Sequence, residues 1–164
     1  MKKLILTSLL FAFATITFAQ DQTTFILVRH AEKAVDGSKN PPLSEAGLLR
    51  ANELASLLAK QKIDALYSTP FIRTEATLTP IARDKGLKVI NYDPYAGADW
   101  LPDALEKHAG GTIMISGHSN TIPALANALL GEDIFEQFDE SDYSNLIIIV
   151  TSEVGKGKLV RLSF

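Results

Sequence analysis

The stretch Phe25-Ile26-Leu27-Val28-Arg29-His30 is the part of the chain from which the fold can be worked out. Four consecutive apolar residues, followed soon by turn-forming residues over 36–42, are typical of a strand that is buried on both faces. Such a strand would deliver Arg29 and His30 to the carboxyl edge of a sheet, where open α/β folds bind ligands. The plainer alternative is a surface Arg-His pair that follows a core strand.

A second apolar run ends in a histidine in the same way. Residues 112–116 form another predicted buried strand, and Gly117 and His118 follow it directly. The chain has three histidines, so two of the three come after buried strands. Histidine changes its protonation most readily near neutral pH, and a pair at one sheet edge favours acid, base or nucleophilic chemistry. The repetition argues against the plain surface interpretation.

Strand-like and helix-like patterns alternate along the chain. The first predicted helix opens at Ser44 as its N-cap, with apolar residues at helical spacing as far as Leu58. The other predicted helices cover 72–85, 100–108 and 121–130. The other predicted strands cover 63–67, 87–91 and a terminal hairpin of 146–151 with 158–162. This alternation predicts an α/β fold, a three-layer sandwich whose mostly parallel central sheet carries helices on both faces.

The first residues predict a secretory signal peptide. A lysine pair precedes an uncharged apolar stretch over residues 4–18, and small residues suit cleavage after Ala19. The stretch is too short, and too quickly followed by polar residues, to be a spanning helix. We therefore expect residues 1–19 to be removed and residues 20–164 to form a single domain that is periplasmic or secreted and has no membrane contact. The alternatives are an uncleaved anchor or a disordered tail.

Composition limits the classes of partner and of chemistry. The chain has 16 basic and 19 acidic side chains, and loss of the leader would remove two of the lysines. It has no basic run, and the stretch over residues 133–142 is acidic and is expected to be exposed, so nucleic acid is not an expected partner. It has no cysteine, which excludes disulfides, thiol nucleophiles and thiolate metal sites.

The arginines complete the predicted site. Arg73 lies at the start of the second predicted helix, directly after a strand, so we expect it to face the same edge as Arg29. A planar guanidinium can bind a phosphate or a carboxylate through two hydrogen bonds. Helix N-termini near Arg73 and Ser119 would add backbone N–H donors. Two arginines and two histidines in one positive pocket fit a dianionic phosphoryl group better than a singly charged carboxylate.

Four motifs, in order, resemble those of the histidine phosphatase superfamily, also called the phosphoglycerate mutase-like proteins. They are Arg29-His30-Ala31-Glu32, Pro42-Leu43-Ser44-Glu45-Ala46-Gly47, Tyr67-Ser68-Thr69-Pro70-Phe71-Ile72-Arg73-Thr74 and Ile115-Ser116-Gly117-His118-Ser119-Asn120. The match extends over roughly residues 25–151, at the expected separations. The resemblance implies a phosphoglycerate mutase-like fold, and in size the chain resembles the small bacterial phosphohistidine phosphatases.

The resemblance also implies an activity, that of a metal-independent phosphatase, a phosphoric monoester hydrolase without cofactor. His30 would be the nucleophile, forming a phosphohistidine that water hydrolyses. Arg29, Arg73 and His118 would bind the phosphoryl group and stabilise its charge. Ser119, at the start of a predicted helix, is a further expected phosphate ligand. The substrate would be a phosphomonoester or a phosphoramidate, carried by a small molecule or a phosphopeptide.

The general acid stays open. Many members of the family carry a glutamate after the third strand, but residues 91–99 contain none. Asp93, Asp99 and Glu32 are the candidates, and each could instead be a turn-forming or solvated carboxylate. A missing acid would favour substrates with good leaving groups.

Three other functions compete with the phosphatase. A mutase needs a lid that excludes water, and the roughly forty residues between Arg73 and the strand at 112 leave little room for one. A metal-dependent hydrolase that used His30, Glu32 and His118 as ligands would place a cation beside two arginines. A non-catalytic phosphate- or phosphoprotein-binding module would keep the pocket without turnover.

Overall fold

A six-stranded sheet in the order β3-β2-β4-β1-β5-β6 forms the centre of the protein. The computed structural model describes residues 21–163, with only the backbone of 161–163, and the predicted signal peptide lies outside the described residues. The strands are β1 Thr23–Arg29, β2 Ala65–Ser68, β3 Val89–Asn91, β4 Thr112–Gly117, β5 Asn145–Thr151 and β6 Lys158–Ser163. The helices are α1 Glu45–Leu57, α2 Ile72–Lys85, α3 Leu101–Lys107 and α4 Thr121–Leu130.

The sheet is mixed, with its parallel part on one side. Strands β1, β4, β2 and β3 pair in parallel, in that order across the sheet. Strand β5 runs antiparallel to β1, and β6 runs antiparallel to β5, which is the predicted terminal hairpin. The prediction of an α/β fold with a mostly parallel sheet is confirmed.

Strand β1 is central because both of its faces are apolar. Phe25 and Leu27 join a core cluster with residues of α3 and α4, whereas Ile26 and Val28 join a second cluster with residues of α1 and α2. Each cluster fills the space between the sheet and one pair of helices, which gives the three layers. A strand covered on both faces needs no alternation of polar residues, and this explains the continuous apolar run in the sequence.

The start of α1 holds the segment that follows β1. Ser44 is the N-cap, and its hydroxyl accepts a hydrogen bond from the Gly47 backbone N–H at 3.1 Å. The backbone of Glu32 lies directly against Gly47, where a Cβ atom would come within 2.2 Å of the Glu32 carbonyl oxygen. Only glycine allows this approach. In residues 21–163, no helix is both long enough and apolar enough to cross a membrane.

Candidate active site

The ends of β1 and β4 bring the two predicted histidines together. The strands are parallel neighbours with Arg29 opposite Gly117, so His30 and His118 are the next residues at the same sheet edge. The His30 backbone N–H donates to the Gly117 carbonyl at 2.9 Å, and the two ring centroids are 5.5 Å apart. The carboxyl edge of the parallel strands is the expected place for a ligand.

Gly117 allows close packing at the end of β4. A Cβ atom at this position would lie 2.7 Å from the Thr121 hydroxyl and 2.8 Å from the Tyr92 hydroxyl. The same Thr121 hydroxyl accepts a hydrogen bond from the His118 backbone N–H at 2.8 Å. The glycine of this motif is therefore required by the close packing that fixes His118.

His30 is held as a neutral imidazole with a defined tautomer. Its Nδ1 lies 2.8 Å from the Ala31 carbonyl oxygen, which can only accept, so Nδ1 carries the proton. Burial, together with the positive charges of Arg73 and Arg29, lowers the pKa of His30 to about 4, although the bond to Ala31 acts in the opposite direction. The Nε2 atom therefore keeps its lone pair near neutral pH.

His118 is neutral as well, with the opposite tautomer. Its Nε2 lies 3.0 Å from the Thr69 hydroxyl, which in turn donates to the Thr74 hydroxyl and so accepts from Nε2–H. Its Nδ1 faces Nη2 of Arg73 at 3.5 Å. Burial, followed by the charge of Arg73, lowers the pKa of His118 to about 4. The two threonines from the third motif are therefore what orients His118.

The guanidinium of Arg73 has N–H donors that are available to a ligand. Within residues 21–163, its Nε and Nη1 atoms are buried and have no hydrogen-bond partner. The guanidinium lies 4.7 Å from the centre of the Phe71 ring, and that ring packs against His118 at a centroid distance of 4.9 Å. Buried N–H groups without a partner are costly, so this geometry favours binding of an oxyanion.

A segment before β5 fixes Arg29. Its Nη1 donates to the carbonyl oxygens of Asp139 at 2.8 Å and of Asp142 at 3.0 Å, and its Nη2 donates to the Glu140 carboxylate at 2.9 Å. The guanidinium also lies 4.2 Å from the centre of the Tyr143 ring. Its Nε is buried and has no partner among the described residues. Three of the five guanidinium N–H groups of Arg29 thus donate to protein oxygens, and the Nε–H group is available to a ligand.

Glu140 is a further residue of the candidate site, and the sequence motifs do not include it. Its carboxylate bridges Arg29 and the Ser119 hydroxyl, which donates to it at 2.5 Å. The hydrogen bond from Ser119, together with the positive charge of Arg29, holds the pKa of Glu140 below its usual range. The predicted phosphate ligand Ser119 therefore has a protein acceptor. The stretch over 133–142 is mostly exposed, as expected, but nothing in the sequence distinguishes Glu140 from its acidic neighbours.

The three candidate acids are placed as follows. The exposed Asp93 carboxylate accepts a hydrogen bond from the Tyr95 backbone N–H at 2.8 Å, which is a turn-forming contact. Asp99 is exposed just before α3. Glu32 accepts from Arg50 at 2.7 Å, and these hydrogen bonds lower the pKa of the Glu32 carboxyl. Asp93 and Glu32 thus have structural partners.

The alternative metal site shares one of these residues. Glu32, its proposed third ligand, binds the guanidinium of Arg50 with both carboxylate oxygens. In the part of the chain that the structure describes, no group of three or more histidine, aspartate or glutamate side chains is arranged to hold a metal ion. What the site does offer is an unprotonated imidazole nitrogen among cationic donors, a combination suited to a phosphoryl group.

Known proteins share both the sequence pattern and the fold. Residues 25–94 match the model of the histidine phosphatase superfamily (branch 1). Phosphoserine phosphatase 1 of Hydrogenobacter thermophilus is 42% identical over 74 residues, which are 42% of this chain and 35% of that protein. The match thus spans about a third of the length of this relative.

Solved structures resemble nearly the whole fold. The protein histidine phosphatase SixA complexed with tungstate aligns with a TM-score of 0.70 and 19% identity, over 85% of this chain and 96% of that one. A phosphoserine phosphatase from Entamoeba histolytica in complex with 3-phosphoglyceric acid aligns with a TM-score of 0.65 and 19% identity, over 87% and 96%. The sequence of residues 25–94 is thus similar to the histidine phosphatase superfamily, and these solved structures share the fold of the chain.

Proposed function

We propose that the protein is a phosphatase that hydrolyses a phosphomonoester or a phosphoramidate through a phosphohistidine on His30. One observation carries this proposal. The Nδ1 proton of His30 is committed to the Ala31 carbonyl, so Nε2 is the unprotonated atom, and it belongs to a ring that is buried between two arginines and His118. An imidazole kept neutral in a cationic pocket is suited to attack an electrophile that arrives as an anion.

In the first step, the lone pair of His30 Nε2 forms a bond to phosphorus. The bond from phosphorus to the leaving oxygen or nitrogen breaks, and the leaving group departs with that electron pair and takes up a proton. The unpartnered N–H groups of Arg29 and Arg73 bind the phosphoryl oxygens. They are fixed before the substrate arrives, so little reorganisation is needed when charge builds up in the transition state.

In the second step, water attacks phosphorus from the side that the leaving group has vacated. The bond from Nε2 to phosphorus breaks, the electron pair returns to His30, and the water proton passes to solvent. The products are inorganic phosphate and the free enzyme. His118 supports both steps, because its Nδ1 can take a proton and then donate to a phosphoryl oxygen once the dianion raises its pKa.

The relatives support a small phosphorylated substrate. One of them is named a phosphoserine phosphatase, and solved relatives hold tungstate or 3-phosphoglyceric acid. We propose the same class here, and we leave the general acid unassigned, because the carboxylates of Asp93 and Glu32 have structural partners. A substrate with a good leaving group would need no acid.

The test is hydrolysis of p-nitrophenyl phosphate by the purified protein and its His30→Ala variant. We expect turnover by the parent and none by the variant, and a brief reaction quenched in alkali should trap an acid-labile phosphate on His30. Undiminished turnover by His30→Ala would refute the mechanism. Binding of phosphate without hydrolysis of any ester would identify the non-catalytic binding module instead.

A further inference from the structure

Two cavities adjoin the phosphoryl site at Arg73. One has a volume of about 240 Å³ and is lined by the segment over residues 33–41, including Lys33 and Lys39. The other has a volume of about 220 Å³ and is lined by Phe71, Tyr95 and His118. Arg73 borders both, so a phosphoryl group held by this arginine has two directions in which the rest of the substrate could extend.

The second cavity is the mouth of a longer groove. It shares Pro94, Asn120 and Thr121 with a further cavity of about 230 Å³, which continues between α4 and the loop after β3 as far as Ala124. We call this continuous space the α4 groove, defined by Phe71, Pro94, Tyr95, Asn120 and Ala124.

The two directions differ in charge. The lining of the α4 groove contains no acidic side chain, its only cation is the shared Arg73, and its histidine is neutral. The Phe71 ring forms one wall, and Tyr95 stands at the mouth with 90% of its surface exposed. The hydrogen bond from the Tyr95 backbone N–H to Asp93 fixes the loop that carries this ring. The other cavity is lined by two lysines and Arg73 against one carboxylate, that of Asp36, so its lining is net positive and suits an anion.

The contacts at the phosphoryl site distinguish the two directions. Of the predicted phosphoryl-binding residues, the lining of the lysine-lined cavity includes only Arg73. The α4 groove begins at both Arg73 and His118, and the Phe71 ring in its wall packs against both of them. The His118 ring lies 5.5 Å from the His30 ring, so the α4 groove opens beside the nucleophile.

We propose that the α4 groove binds the leaving group of the substrate and that this group is uncharged and has a flat or apolar face. Tyr95 is the specificity-determining residue, because its exposed ring can stack on such a group. This inference rests on the proposed phosphatase function. It defines the substrate class by the chemistry of the leaving group, which the phosphoryl site does not specify.

Two phosphonates that no phosphatase can hydrolyse give a test that does not need turnover. Calorimetric titration of the full protein with phenylphosphonate and with methylphosphonate should show tighter binding of the phenyl compound. In Tyr95→Ala that preference should fall by roughly two- to tenfold, which is what one aromatic contact contributes. Affinity for methylphosphonate should stay unchanged. Val35→Ala, an exposed apolar residue on the lysine-lined cavity, is the matched control and should keep the preference.

Steady-state kinetics provide a second test of the same inference. Tyr95→Ala should lower kcat/KM for p-nitrophenyl phosphate by a similar factor and leave kcat/KM for acetyl phosphate unchanged, because the acetyl group is too small to reach the ring. Equal losses on both substrates, or a phenyl preference that survives in Tyr95→Ala, would overturn the inference. The inference would also be overturned if the Lys39→Ala variant lost the preference for the phenyl compound and the Tyr95→Ala variant kept it. A phenyl preference without hydrolysis would refute the phosphatase and support the groove.

Discussion

Arg29 and Glu140 form an ion pair whose partners differ widely in exposure. Arg29 Nη2 and Glu140 Oε2 are 2.9 Å apart, yet the arginine side chain is 1% exposed and the glutamate side chain is 63% exposed. The carboxylate therefore reaches from the surface to a buried cation of the phosphoryl site. Its negative charge partly offsets the charge that should attract the substrate.

Glu140→Gln should tighten inhibition by inorganic phosphate. The amide oxygen can still accept a hydrogen bond from Arg29, but the negative charge that repels an incoming dianion is lost. A charge a few ångströms away near the surface changes the affinity for phosphate by about two- to fivefold. The measurement is the competitive Ki of phosphate at low and high salt. Glu136→Gln removes the same charge from the same exposed segment and is the control. Weaker inhibition in Glu140→Gln would mean that the carboxylate mainly orients Arg29.

Arg73→Ala should reduce kcat/KM by about 100- to 1,000-fold, the usual effect of losing a fixed donor to the transition state. Arg83 lies on the same helix with its side chain 74% exposed, so Arg83→Ala removes an equal charge without touching the site. Steady-state kinetics with p-nitrophenyl phosphate compare the two variants. Similar small losses in both would show that Arg73 acts only through overall charge.

Stability should fall on mild acidification because the two histidines of the site, His30 and His118, are neutral in the folded protein. The folded-state pKa of His30 is about 4, below its ordinary value of 6.5, so between these values the unfolded chain binds more protons. The free energy of unfolding therefore decreases as pH falls through this window, by about 1–2 kcal/mol after allowance for partial screening. Urea unfolding at pH 7 and pH 4.5 measures this. His30→Gln should show a smaller loss, and an identical pH dependence would contradict the assignment.

Gly47→Ala should destabilise the protein although the change lies within a helix. Alanine in place of glycine ordinarily stabilises a helix by about 0.5–1 kcal/mol. Here the new Cβ would meet the Glu32 carbonyl oxygen at 2.2 Å, and we expect a net loss of about 1–3 kcal/mol in the free energy of unfolding. Leu48→Ala, at the next and half-exposed position, is the control. A stabilised Gly47→Ala protein would show that the Glu32 segment can move.

Local pattern predicted most of the fold. The apolar run of β1, the N-cap at Ser44 and the helix over 72–85 all depend on residues close together in the sequence, and all are found where they were expected. The pairing of His30 with His118 was also predictable, because both follow buried parallel strands. Their distance depends on β1 and β4 being neighbours, a feature of strand order that the pattern alone does not specify.

The parts that were not predicted depend on contacts between distant segments. Glu140 reaches Arg29 and Ser119 only because the chain after α4 folds back over the edge of the sheet. In the sequence it is one of several carboxylates in an irregular acidic stretch, without periodicity or a motif. Asp93 is the opposite case, a residue that the sequence suggested for the site. Its position in the chain made it a candidate acid, but its hydrogen bond from the Tyr95 backbone makes it part of a turn.

The position of β1 affects the order in which the protein can be made. It is the first strand in the described chain, yet both of its partners, β4 and β5, come late. A ribosome must synthesise residues through 151 before the middle of the sheet can close, so the nascent polypeptide has no finished core for most of its translation. Late closure therefore leaves the emerging chain without its central strand pairs until translation is nearly complete.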